Sequence, residues 1–193
     1  MNAAKDDVKS VADKKPNQKK AVLRQSAGLL INYLQDQVNT DLSSTEKVKL
    51  TGSHPDVALF YNYRINRKLT AQGQVVMRNL KADGSATASL CQGSKQCNVD
   101  IKYVGVEGHL KAYVVFPWNV GAGFSYLSPQ QKSSNALDLN GLTSTQAFIL
   151  TAGYDVFWGR YLVPLYVQYH YYTPSASASV QQLGLAAGWG IKF

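Results

Sequence analysis

From Leu183 onward the apolar side chains fall on every second position: Leu183, Leu185, Ala187, Trp189, Ile191 and Phe193. Between them lie Gln182, Gly184, Ala186, Gly188, Gly190 and Lys192, all small or polar. A period of two predicts a β-strand with one greasy face. That face either meets a protein core or points at lipid from a closed barrel with a polar lumen. The same alternation governs much of the chain upstream. Val57, Leu59, Tyr61, Tyr63 and Ile65 alternate with Ala58, Phe60, Asn62 and Arg64, and Leu69, Ala71, Val75 and Met77 with Thr70, Gln72, Gln74 and Arg78. Val104, Val106, Leu110, Ala112 and Val114 alternate with Tyr103, Gly105, Glu107, His109, Lys111 and Tyr113. Strands are also expected over 120–126, 147–156 and 161–171, with a short first one over 46–52 joined to the next by a tight connection at SHPD, 53–56. That makes eight.

Two segments depart from this rhythm. Residues 1–18 mix Lys, Asp, Asn and Ala without periodicity and read as a disordered basic tail. Over 19–40, Val22, Ser26, Leu29, Leu30, Tyr33 and Val38 recur near helical spacing, which predicts an amphipathic helix, periplasmic or lying in the membrane interface. The expected domain order is therefore tail 1–18, helix 19–40 and barrel 44–193.

The connections fall into two kinds. Those at 66–68, 116–119 and 158–160 are short, whereas 83–98, 128–142 and, less markedly, 173–178 are longer. In an antiparallel barrel the short ones share an end with the C-terminus. Phe116, Trp118, Trp158 and Tyr161 gather at that end, and Tyr126, Tyr169 and Tyr171 approach the other. Trp and Tyr, half apolar and half wet, suit two membrane interfaces a strand apart. No run of about 18 apolar residues exists, so a transmembrane helix is excluded, but barrel strands need only about 9–11 alternating residues.

These features resemble the outer-membrane β-barrel proteins of Gram-negative bacteria, whose closing strand ends in an aromatic residue. Gly188, Ile191 and Phe193 match that family's assembly signal, while Ala186 stands where a polar residue is usual. The layout over 44–193 resembles the small OmpA, OmpX and OmpW-like barrels. The resemblance implies an all-β, eight-stranded antiparallel transmembrane up-and-down barrel in the bacterial outer membrane. Its partners would be outer-membrane lipid, lipopolysaccharide and the barrel-assembly machinery, with a periplasmic or surface protein as a further class and no cofactor. The opening MNAAKDDVKS has no apolar signal-peptide core, so this reading takes the chain as the mature part of an exported protein.

Composition adds three points. The charged fraction of 17% lies below the roughly 25% of soluble domains. Half of the +8 net charge sits in residues 1–24, with no aromatic interleaving, which argues for headgroup contact rather than nucleic acid. Cys91 and Cys97, close together in a polar segment, predict a disulfide and an oxidising compartment; no further Cys or nearby His completes a metal site.

Arg64, Arg78, Glu107, His109, Lys111, Asp155 and His170 would face the lumen. Buried charges must be paired, so a plugging salt-bridge network is expected, with Glu107 and Asp155 as its acids. An apolar inward subset, Phe60, Val76, Ile149, Phe157 and Leu162, would fill gaps beside glycines. Read instead as an acyl-chain pocket next to a helix, it is similar in architecture to the outer-membrane lipid A palmitoyltransferase. His170 near Ser175 is superficially similar to the lipid A deacylases, but Tyr172 occupies the position of their Ser. With no catalytic residues assigned, the expected role is non-enzymatic: envelope integrity, surface-loop binding or passage of a small hydrophobic solute. A soluble lipocalin-like binder is the alternative if the greasy faces turn inward.

Overall fold

In the computed structural model, which describes residues 24–43, 46–87, 89–175 and 177–193, eight antiparallel strands close into a barrel in sequence order. They are β1 (Gln25–Asp41), β2 (Lys47–Arg64), β3 (Leu69–Ser85), β4 (Gln96–Val115), β5 (Trp118–Ser134), β6 (Thr145–Trp158), β7 (Tyr161–Ser175) and β8 (Ala178–Lys192). β1 closes the ring against β8, from Ser26 opposite Lys192 to Thr40 opposite Ala178.

The expected amphipathic helix is overturned where it is described. Residues 25–40 belong to β1, and 19–23, like the expected tail 1–18, lie outside the described residues. The barrel therefore begins at Gln25 and not at 44. The cause is apolar residues on both faces: Leu30, Leu34 and Val38 point inward and Leu29, Ile31 and Tyr33 outward, so Leu-Leu-Ile-Asn-Tyr-Leu hides its period of two. SHPD is likewise no turn. His54, Pro55 and Asp56 lie inside β2, which fuses the expected 46–52 and 57–65 strands. The count of eight survives because one strand is gained and two merge.

Strands also run further than expected at the long-loop end. The connections there shrink to 86–95 and 135–144, and only residues 176–177 separate β7 from β8. The short turns at 65–68, 116–117 and 159–160 share an end with Gln25 and Phe193, whose backbones exchange hydrogen bonds.

The greasy faces point out. Val106 is 55% exposed, Leu185 64%, Trp189 53% and Val167 45%. A soluble lipocalin-like arrangement would bury them; here they form an apolar exterior band suited to hydrocarbon. Beyond the band, toward the long loops, the outward positions become Gln35, Gln37 and Asn39 on β1, and Lys47, Lys49 and Thr51 on β2. The barrel thus projects past the lipid on that side.

Candidate functional site in the barrel lumen

Inward alternation delivers charged residues from five strands to one layer of the lumen, with Arg78 at its centre. Its guanidinium meets Glu107 at 2.9 Å and Asp56 at 3.4 Å, and donates to His170 Nδ1 at 2.7 Å. His54 bridges Asp36 at 3.0 Å and Asp56 at 3.3 Å, and Gln182 Nε2 donates to Asp36 at 2.8 Å. On the other side His109 lies 3.4 Å from Glu107. Gln74 reaches His109 and also donates to Tyr166 at 3.3 Å. Nearer the short turns, Lys111 sits over the Tyr166 ring at 4.6 Å and the Tyr113 hydroxyl donates to Asp155. All these groups are buried. Around Arg78 the charges are paired, as charges taken out of water must be, whereas Lys111 rests on the Tyr166 ring and Asp155 on the Tyr113 hydroxyl.

Pro55 organises the wall beside this layer. The β2–β3 ladder runs from Arg64 opposite Thr70 to Val57 opposite Met77, then resumes only at Thr51 opposite Asp83. Pro55, which would stand opposite Asn79 in that register, has no N–H to donate. Side chains take over the interrupted stretch: Asp56 accepts the Asn79 N–H at 3.0 Å, and Gln182 Nε2 donates to the Asn79 carbonyl at 3.2 Å. The seam lies at the long-loop edge of the apolar band.

The two ends of the lumen differ. At the long-loop end Val38, Leu50, Leu80, Val99, Ile101 and Val180 pack with Leu137, Leu139 and Leu142, which fold in from the 135–144 connection. Lys132 holds that connection by donating to the Leu139 and Leu142 carbonyls, both at 3.0 Å. The Cys91–Cys97 disulfide, with Cα atoms 5.4 Å apart, packs into the same cluster. At the short-turn end lies a cavity of about 310 Å³, bordered by Arg24, Arg64, Lys192, Tyr113, Phe116 and Phe157.

Of the residues expected in the lumen network, Arg78, Glu107, His109 and His170 meet directly. Lys111 and Asp155 form a separate group with Tyr166 and Tyr113. Arg64 is not a member: it ends β2 at the mouth and donates to the Asn66 and Arg67 carbonyls at 3.2 and 3.1 Å. Among the described residues Asp155 makes no ion pair; Asp36 and Asp56 are acids of the network that sequence reasoning missed, together with His54. All three sit in the segments expected as helix and turn; strict inward parity through 53–56 is the signal for His54 and Asp56, whereas Asp36 is hidden by the helical spacing of its own segment. Phe60, Val76, Ile149 and Leu162 are buried inward and Phe157 is half-buried. Trp118, Trp158, Tyr161, Tyr126 and Tyr171 are exposed on the outside and Tyr169 is half-exposed, whereas Phe116, also exposed, departs from the expected belt and turns over the short-turn mouth onto Tyr113 and Phe157. In the closing strand, Ile191 and Phe193 point outward, while a side chain at Gly188 would meet Leu30 and the Leu29 carbonyl. Among the described residues no group of three His, Cys, Asp or Glu is placed to hold a metal ion.

No protein-family model matches the chain, and no curated protein matches its sequence. Solved structures do. OprG, an outer membrane protein of Pseudomonas aeruginosa, aligns over 88% of this chain and 97% of its own, at 12% identity and a TM-score of 0.54. The outer membrane protein AlkL, determined in lipid bilayers, aligns over 94% and 96%, at 15% identity and a TM-score of 0.55. Ail of Yersinia pestis, solved in complex with a heparin analogue, aligns over 87% and 99% at 18% identity, with a TM-score of 0.46. The closed ring, its lipid-facing exterior and the likeness to OprG and AlkL give this chain the fold of the small eight-stranded outer-membrane barrels of Gram-negative bacteria.

Proposed function

We propose that this chain is a non-enzymatic, non-conducting barrel of the outer membrane that presents its long-loop end as a contact surface, serving envelope integrity or surface binding. The observation that carries this reading is the double closure of the lumen, by the Arg78-centred layer and by the apolar cluster above it. An eight-stranded interior is just wide enough for side chains to fill, and here they do. That weighs against passage of a solute through the axis. A role as a lipid-modifying enzyme gains no support from the imidazoles: His170 is held by Arg78, and His109 lies against Glu107.

Surface binding is favoured by a polar cavity of about 500 Å³ at the long-loop end, bordered by Lys132, Asn135, Asp138 and Asn140. Lipid and lipopolysaccharide are the partners that the apolar band would meet, and the closing strand with Gly188, Ile191 and Phe193 is the segment offered to the assembly machinery. The test is conductance across a planar bilayer containing the refolded chain. Current at the level of bare lipid is expected; steady ohmic conductance proportional to protein would overturn the reading.

A further inference from the structure

Among the described Asp and Glu residues, those outside the lumen are Asp41, Glu46, Asp83, Asp100 and Asp138, and all belong to the long-loop end. Among the described residues the short-turn end carries Arg24, Arg64, Arg67, Lys68, Arg160 and Lys192 and no acidic side chain outside the lumen. Every arginine of the chain except Arg78 is there. Long-loop charges are mixed in sign, whereas the described residues of this end are uniformly positive outside the lumen. Guanidinium groups recur where bidentate binding of phosphate or carboxylate matters.

The cations frame a built cavity. Phe116 stacks on Phe157 at 5.1 Å between ring centroids and touches Tyr113 at 5.7 Å. Arg64 lies over Tyr113 and Phe116, at 5.9 and 5.6 Å, while Lys192 lies over Phe157 at 5.1 Å. Two cations are thereby held on either side of an aromatic floor. Arg64 spends two of its nitrogens on the 66–67 carbonyls, which fix its position and leave its third, Nη1, available. Arg24, Arg64 and Lys192 form no ion pair among the described residues. The Asp155 carboxylate, the acid nearest this mouth, accepts from Tyr113.

The cavity does not stop at the lumen. A second hollow of about 650 Å³ shares Arg24, Arg64 and Phe116 with it and continues over the 65–67 turn past Ile65 and Arg67. Ile65 and Phe116 are exposed at the edge of the apolar exterior. The path from the mouth to the lipid band is thus cationic on its inner side and apolar on its rim. An amphiphile with an anionic phosphate head and an acyl tail matches that order, and a free anion would use only the inner half.

We infer that the short-turn mouth binds the phosphate headgroup of an anionic lipid, with Arg24, Arg64 and Lys192 on the phosphate and Phe116 under the glycerol and upper acyl segment. The site is independent of conductance, which the lumen decides, so the two tests fail separately. The full chain, refolded in zwitterionic detergent, is titrated with phosphatidylglycerol or phosphatidylcholine and bound lipid is read by native mass spectrometry. Phosphatidylglycerol is expected to bind about tenfold more tightly: both lipids carry the phosphodiester anion, but the quaternary ammonium of phosphatidylcholine would be repelled by the three cations around it. The pair Arg64→Gln/Lys192→Gln should erase that preference, and Lys49→Gln/Lys102→Gln at the other end should leave it intact. Should the first pair fail to fold, Lys192→Gln alone is read the same way, and at least a severalfold loss is expected. Equal binding of both lipids, or an equal loss in the control pair, would overturn the inference. Displacement by inorganic phosphate at millimolar concentration would overturn the lipid as ligand and assign the site to a free anion.

Discussion

Asp36 on β1 accepts the backbone N–H of Lys81 on β3 at 2.9 Å, across the intervening strand β2. The reach is open because Gly52, the β2 residue paired with Asp36, has no side chain. Asp36 thereby joins three strands and, through Gln182, a fourth. The same carboxylate closes a gap in the β-ladder and anchors His54 of the charge layer. Wall and lumen are consequently one structure at this height.

Gly52→Ala tests that dependence. A Cβ built there would clash with the Lys81 carbonyl oxygen, a backbone atom that can move only with its strand. Overpacking of this kind costs about 1–3 kcal/mol, and the upper end is expected because backbone must yield. Gly73→Ala is the matched control, since its Cβ would meet nothing within 4 Å. Urea midpoints of the refolded proteins in detergent should fall for the first and stay within error for the second.

Arg78→Met should destabilise by about 3–5 kcal/mol, because removing one partner strands Asp56 and Glu107 as buried unpaired charges. The companion variant Arg78→Met/Asp56→Asn/Glu107→Gln removes the charges together and should recover most of the loss. Denaturation midpoints, together with the change in electrophoretic mobility on boiling, measure both. Equal instability of the two variants would mean that Arg78 acts by packing, not by charge.

What the sequence made legible follows from which strands have unlike faces. β4, β6 and β8 alternate apolar with polar or small residues, so their orientation, the short turns and the outward aromatics could be read directly. β1 could not, because Leu30, Leu34 and Val38 line the apolar end of the lumen while Leu29, Ile31 and Tyr33 face lipid. Pro55 concealed the middle of β2, since the tolerance for proline there depends on Asp36, Asp56 and Gln182 substituting for ladder bonds, and those side chains arrive from distant positions. Arg78, Glu107, His109 and His170 were placed by parity alone. Their partners on β1 and β2 were lost with the strands that carry them.

The disulfide should matter locally. Cys91 and Cys97 are separated by six positions in sequence and pack in the cluster that closes the long-loop end. Cross-linking so short a loop contributes about 2 kcal/mol in the chain-entropy account. In Cys91→Ser/Cys97→Ser the barrel should persist, with its boiling-dependent mobility retained, while protease cuts within 86–95 at least several times faster than in the oxidised chain.

Finally, the depth of the apolar band predicts where a charge is tolerated. Leu110 points outward from β4 and is 50% exposed. It lies midway along the strand between Phe116 at the short turn and Val104, above which the outward residue becomes Lys102. An arginine near the midplane of the bilayer costs about 2–4 kcal/mol, whereas near the interface the cost falls to about 0–1 kcal/mol. Leu110→Arg should therefore lose most of that larger amount when folded into lipid vesicles, and Gln35→Arg, on the polar exterior of β1, should lose almost nothing. If Gln35→Arg proved as damaging as Leu110→Arg in vesicles, the projection of the barrel beyond the lipid would be wrong, and the hydrocarbon would have to reach the seam at Pro55.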